Sequence, residues 1–322
     1  MNDNIKHPAE IDLAVLLIFF ARPDTLKEVF KRVKKARPSK LFLACDGPRK
    51  GNVTDASRIE ECKKIVSDID WECELHTLYS EANKGCGKGP SEAISWAFAH
   101  TDKLVILEDD CVPEMSFFPY MKELLDKYEN DDRIGIISGF NHFQSWDCGG
   151  NSYCFTKCAA TLGWGTWKRV WDNYDFYVKN AADPYYARLL EQEIINKRAG
   201  KGRCNSWKAA AIETKEKKVR YWDIQFGFVK YSQSYLCIVP KENLIYNIGI
   251  GEGSTHTANA RKTEWKMSRV LFMPVNEMKF PLVHPEYIIC DRAYDEKHFR
   301  LLSYPHPIVK YYRKIRRRLL EG

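Results

Sequence analysis

Over the first 140 positions, apolar residues fall in short dense runs, each stopped by polar or turn-forming residues. Residues 13–20 are almost uniformly apolar and end at Ala21-Arg22-Pro23-Asp24. A run without alternation is buried on both faces, as in a central parallel strand. Leu26, Val29, Phe30 and Val33 then recur at helical spacing, and Pro38 closes that helix. Residues 41–45 form a second strand, stopped by the turn sequence Asp46-Gly47-Pro48. Ile59, Cys62, Ile65, Val66 and Ile69 predict a second helix, and residues 71–78 a third strand. Asn83-Lys84-Gly85-Cys86-Gly87-Lys88-Gly89-Pro90 reads as a glycine-rich basic loop before a helix over 91–100. The strand Leu104-Val105-Ile106-Leu107 follows and ends abruptly in Glu108-Asp109-Asp110. A helix over 117–128 and a strand over 134–138 complete the series. Strands alternating with helices predict an α/β protein with a doubly wound, mostly parallel sheet.

Past Phe140 the pattern changes. Residues 141–165 are rich in aromatics, cysteine and glycine and do not alternate. Helices are expected over 166–174, 185–197 and 206–217, a strand over 235–239 and a loop over 249–257. No repeat or low-complexity linker separates the halves. The division expected is 1–140, then 141–260 packed onto the same sheet, then a C-terminal extension over 261–322.

The hydrophobic and charged fractions of the 322-residue chain, 44% and 29%, are those of a globular protein. No stretch reaches the roughly 18 apolar residues of a membrane span. The polar start, with Asp3 and Glu10, does not suit a signal peptide, so a cytoplasmic protein is expected. Eleven cysteines, odd in number and without a Cys-x-x-Cys pair, argue for reduced thiols and against a disulfide framework or zinc site. The net charge of +7 is concentrated at the end, where residues 310–321 hold six bases against Glu321. The rest carries only +2, which excludes a polycation seeking nucleic acid. The tail mixes those bases with Tyr311, Tyr312, Ile315, Leu319 and Leu320. That composition suits an anionic membrane surface, at the inner face, as well as a solvated terminus.

The acid triplet concentrates the chemistry. Three carboxylates at the end of a buried strand repel one another unless something positive sits among them. A divalent cation shared with a substrate phosphate, Mn²⁺ or Mg²⁺, meets that need. The alternative, charge complementing the next helix N-terminus, uses fewer acids. Arg22 follows the first strand, Asp46 ends the second, and Lys84 and Lys88 lie in the glycine-rich stretch. Each alone suits a solvated surface. Together at strand ends they suit a nucleotide diphosphate, with Asp46 accepting a pyrimidine N–H. Neither the Walker A nor the Gly-x-Gly-x-x-Gly pattern is matched.

Ala21-Arg22-Pro23, Cys45-Asp46-Gly47, Glu108-Asp109-Asp110, Leu162-Gly163-Trp164 and Tyr221-Trp222-Asp223 occur in that order. This set resembles the nucleotide-sugar glycosyltransferases of the GT-A fold, of the N-acetylglucosaminyltransferase I type and its bacterial relatives, across residues 11–260. The resemblance implies a Rossmann-like, nucleotide-sugar-binding first half and an acceptor-binding, catalytic second half. It implies a metal-dependent, inverting transfer of a hexosyl or N-acetylhexosaminyl group from a UDP-sugar to a glycan or lipid-linked acceptor. Arg22 would touch donor phosphates or nucleotide, Asp46 the uracil, and Glu108 and Asp109 the ribose and sugar. Asp110 would bind the cation, Trp164 line the sugar pocket, and Asp223 act as catalytic base. Ile224 and Gln225 follow Trp222-Asp223 where the eukaryotic relatives carry a further acid. His256, in a late polar loop, is a candidate second metal ligand or a solvated histidine. Trp164, Trp167, Trp171, Tyr174 and Phe176 suit either sugar stacking or core packing. A sugar nucleotidyltransferase is the competing enzyme, though it usually has glycines directly after the first strand, where Phe20-Ala21-Arg22-Pro23 stands. A catalytically silent carbohydrate-binding protein on the same fold is the non-enzymatic alternative.

Overall fold

The apolar runs become the inner strands of one eight-stranded sheet. A computed structural model describes residues 6–215, 221–249, 272–300 and Tyr311. Chain order begins β1 (Ile11–Phe19), α1 (Pro23–Ala36), β2 (Pro38–Cys45), α2 (Asp55–Val66), β3 (Glu74–Tyr79) and α3 (Gly85–Ala97). It continues with β4 (Lys103–Glu108), β5 (Cys111–Pro113), α4 (Phe117–Lys127) and β6 (Ile134–Ser138). The second half contributes β7 (Tyr153–Thr156), β8 (Trp164–Trp167), α5 (Lys168–Trp171), α6 (Pro184–Glu193) and α7 (Lys197–Lys215). Last come α8 (Asp223–Ser232), β9 (Leu236–Pro240), β10 (Ile245–Asn247) and α9 (Arg292–His298).

The strand order is β3-β2-β1-β4-β8-β6-β9-β7. β3, β2, β1 and β4 are mutually parallel, as are β6 and β9, while β8 and β7 run against their neighbours. The sheet is therefore mostly parallel, with helices supplying the crossovers. β1 is the third strand, with Leu17 registered against Leu43 on one side and Leu107 on the other. Val15, Leu16 and Leu17 are wholly buried, each worth roughly 1.5–3 kcal/mol relative to exposure. The chain leaves β1 for β2 on one side and later returns to place β4 on the other. That reversal opens a crevice beyond the carboxyl ends of β1 and β4, the place where open α/β sheets bind ligands.

α1 ends where its sequence requires. Arg37 takes a left-handed conformation (φ 45°), and its N–H bonds Val33 O at 3.0 Å. A residue before proline is disfavoured in the helical region, so Pro38 starts β2 directly.

Three expectations are corrected. The stretch from Gly85 to Pro90 is not a loop before a helix; it forms the first turns of α3. Of the helix expected over 166–174, residues 166 and 167 belong instead to strand β8, hydrogen-bonded between β4 and β6, and Lys168–Trp171 alone is helical. The irregular 141–165 segment hides β7, four residues all buried, so no alternation marks it. β7, β8 and β9 extend the sheet begun by the first half. A small ribbon, β5 with β10, registers Asn247 opposite Cys111 and so returns the chain to the acid triplet.

Candidate active site

β1 and β4 deliver Arg22 and the acids to the same crevice. The Arg22 guanidinium lies between two of them. Nη2 donates to Asp109 Oδ1, and Nη1 donates to Asp110 Oδ2 at 3.1 Å. Burial opposes the arginine charge, but Asp109 and Asp110 outweigh it and hold its pKa above the ordinary arginine value. The positive group that the triplet demands is thus supplied by the chain itself.

The three acids differ. Asp109 is almost fully buried and accepts the Phe20 N–H at 2.9 Å, tying the end of β1 to the end of β4. Burial pushes its pKa up to about 6, with Arg22 pulling the other way. Glu108 closes β4, and burial, then Asp110 and Asp109, push its carboxyl up to about 8. Asp223 adds to that shift; Trp222, just before it, stacks on Trp164, which pairs with Ile106 of β4. Asp110 accepts from Arg22 on Oδ2, and Cys111 Sγ lies 3.3 Å from its Oδ1. Its backbone carbonyl accepts from Ile248 N–H at 2.9 Å, which leads the chain to Gly249. A Cβ at Gly249 would stand 2.5 Å from Asp110 Oδ2 and 3.0 Å from Asn247 Oδ1. The absent side chain lets the backbone pass close to Oδ2, which accepts from Arg22, and the Gly249 N–H donates to Asn247 Oδ1 at 2.9 Å.

A cavity of about 340 Å³ lies beside this cluster, lined by Phe20, Arg22, Asp46, Arg49, Lys84 and Glu108, among others. Asp46 sits at its floor and accepts backbone N–H groups from Gly47, Lys84 and Gly85 at 2.9–3.0 Å. Its carboxylate therefore caps the start of α3, satisfying donors that a helix N-terminus leaves open. Burial raises its pKa, and those three N–H groups lower it. A uracil N–H would have to share these occupied oxygens. Lys84 lines the cavity, while its Nζ bonds Glu92 at 2.7 Å. Lys88, on the next turn, pairs with the same Glu92 at 3.3 Å and does not line the cavity.

Trp164 does not line it either. It is fully buried, stacked on Trp222 at 5.6 Å and packed on Phe226 at 5.0 Å. Its indole N–H finds no acceptor among the described residues. Trp167 donates to Leu125 O and Trp171 to Ser95 Oγ, so these two members of the aromatic set are also core.

Asp223 is the first residue of α8, where the backbone N–H groups of Asp223 and Ile224 pull its pKa down against burial. Its own surface is exposed, yet the protein around it desolvates the carboxyl enough to raise its pKa. Tyr174 stands nearby, its hydroxyl donating to Trp222 O at 3.3 Å. His256 and the basic tail other than Tyr311 lie outside the described residues.

Sequence reasoning missed Phe20, Arg49 and Asn83 in the cavity wall. Arg49 lies over the Phe20 ring at 5.3 Å and is held by Asp55 at 2.7–2.8 Å. Its place just after the Asp46-Gly47-Pro48 turn was the available signal. Among the described residues, no three His, Cys, Asp or Glu side chains gather to hold a metal on their own. A cation at Asp110 would share that carboxylate with Arg22 and take most of its ligands from water and phosphate.

No protein-family description matches the chain, and no curated protein does. Among solved structures it is similar to a cytidylyltransferase from Leptospira borgpetersenii, at 12% identity and TM-score 0.30, covering 51% of this chain. The match spans 64% of that cytidylyltransferase, less than two thirds of its length. It is similar to a UDP-glucose pyrophosphorylase complexed with UDP-glucose, at 8% identity and TM-score 0.29, covering 50% of this chain and 78% of that one. It is also similar to S. aureus TarS, at 10% identity and TM-score 0.36, covering 65% of this chain and 73% of that one. Likeness at this level assigns no role to any residue.

Proposed function

We propose that this chain is a nucleotide-sugar-dependent glycosyltransferase of the GT-A kind. The proposed reaction moves a sugar from a UDP-sugar to an acceptor hydroxyl with inversion. One feature carries the reading: a fourth carboxylate, Asp223, adds its charge to that felt by Glu108 and opens α8 directly after Trp222, which stacks on Trp164. Nucleotide binding alone has no use for this carboxylate; proton abstraction from an acceptor does. The ordered motifs of the sequence support the same reading.

In this reading the cavity beside Phe20, Asp46 and Arg49 takes the base, and Arg22 faces the diphosphate. Burial and the neighbouring acids favour the protonated form of Glu108, which can donate a hydrogen bond to a donor oxygen. Asp110, with Asn247 Oδ1 beside it, would hold Mn²⁺ or Mg²⁺. When bound, the cation neutralises charge on the departing diphosphate. Asp223 takes the acceptor proton as the acceptor oxygen bonds the anomeric carbon and the bond to the diphosphate breaks. Burial raises its pKa, which favours holding that proton. The acceptor is a glycan or lipid-linked hydroxyl, and the basic tail is a membrane contact in the same proposal.

Release of UDP from a panel of UDP-sugars with Mn²⁺, with and without acceptor, tests this. Asp223→Asn is expected to lower turnover about 10²–10⁴-fold while leaving UDP affinity unchanged. Full turnover in that variant would refute the base assignment. Release of pyrophosphate from UTP and a sugar phosphate would favour the nucleotidyltransferase instead.

A further inference from the structure

The chain between β8 and α8 forms a helical hairpin that the site does not use. α6 and α7 pack against each other closely: a Cβ at Gly200 would stand 2.5 Å from Glu191 O, and Cys204 Sγ reaches Ala187 O at 3.5 Å. Ala187 and Leu190 face inward. The opposite face of α6 presents Tyr185, Tyr186 and Leu189, exposed by 57%, 50% and 41%. The two tyrosine rings touch at 5.5 Å, and Arg188 lies over Tyr185 at 5.5 Å. Ile195 at the corner and Ile212 on α7 are exposed too, as is Tyr177 just before the hairpin. Lys197, Arg198 and Lys201 are exposed and share the outer sector of α7 with Ile212 at helical spacing. Residues 184–215 carry seven lysines and arginines against three glutamates. One of those acids, Glu193, is paired with Lys157 at 3.1 Å.

Exposed tyrosines and aliphatics clustered with bases are costly on a surface that meets only water. The phenol ring, apolar in body and polar at its tip, suits the headgroup layer of a bilayer. Leu189, Ile195 and Ile212 gain by leaving water for acyl chains and gain little against a polar glycan. The bases match an anionic headgroup surface, each strengthening binding about five-fold. We propose that the outer face of the α6–α7 hairpin is a docking surface for anionic lipid. The surface lies in the described fold, apart from the C-terminal tail, and stands whether or not the chain transfers sugar. The hairpin packs against α8, the helix that begins at Asp223.

The full-length protein is mixed with phosphatidylcholine vesicles with and without phosphatidylglycerol, and the bound fraction is read by flotation. Binding only to the anionic vesicles, weakening as salt rises, is expected. The variant R188S/K197S/R198S should lose roughly 100-fold in partition, and Y185S/Y186S/L189S at least tenfold, both with unchanged circular dichroism. Equal binding to neutral vesicles overturns the proposal. So does wild-type partition by both hairpin variants, or loss of all binding in R316S/R317S/R318S, which would make the tail the contact. A dimer in light scattering that the tyrosine variant dissolves would reassign the face to self-association and overturn it likewise. Should a variant unfold, lysine acylation of the wild type decides. Lys197 and Lys201 are expected to be protected on anionic vesicles while Lys27 and Lys31 on α1 stay reactive. Equal labelling of all four overturns the proposal.

Discussion

Asp109 and Asp110 are neighbours with separable consequences. Asp109 is buried against Arg22 and the Phe20 N–H, so its removal leaves a charge and a donor unpaired. Asp109→Ala should cost about 3–5 kcal/mol in urea unfolding. Asp110→Ala leaves Arg22 its stronger partner and should cost under about 1 kcal/mol, while abolishing any Mn²⁺-dependent stabilisation by UDP. Equal losses in unfolding would contradict this division. Gly249→Ala would press a methyl on Asp110 Oδ2. It should weaken Mn²⁺ binding, read by the paramagnetic signal of free Mn²⁺, more than it lowers the melting temperature. The sequence showed that the acids needed a positive neighbour, because repulsion is local. It did not show that Arg22, 87 residues away, was that neighbour, because the pairing depends on β1 lying beside β4.

The elements divide by how local their causes are. The inner strands were legible because burial on both faces writes an unbroken apolar run. α3 was misread at its start because glycine and proline argue locally for a loop. The opposing term is the Asp46 carboxylate, 38 residues upstream, which gathers the N–H groups of Lys84 and Gly85 and lets the helix begin there. Asp46→Ala should therefore cost about 1–2 kcal/mol and lower hydrogen-exchange protection through the first turns of α3. Unchanged protection would show that the cap is unimportant. β8 was missed because the helical spacing of Trp167, Trp171 and Tyr174 favours a helix from residue 166, and only pairing with β4 and β6 decides otherwise.

At the scale of the whole molecule, acid stability is where one side chain speaks for the core of the second half. His142 packs on His298 at 4.4 Å, and burial, then Lys230 and Arg203, lower its pKa from 6.5 to about 3. The unfolded chain binds a proton below pH 6.5 that the folded one refuses. This contribution is complete above pH 6.5 and is lost as pH falls towards 3, by about 1.4 kcal/mol per unit. At pH 5 the folded state should have lost about 2 kcal/mol that His142→Gln retains, read as the difference in urea midpoints between pH 7 and pH 5. Comparing variant with wild type cancels Glu108 and Asp109. Their raised pKa values act with the opposite sign, favouring the fold as pH falls. Strand β8 carries a different consequence. It comes from the second half of the chain yet lies between two strands of the first, β4 and β6. A cut at residue 140 would therefore leave two raw sheet edges and no free-standing module. Grafting experiments that trade halves between such proteins should yield aggregates, whereas exchanging the α6–α7 hairpin alone leaves every strand junction of the sheet intact.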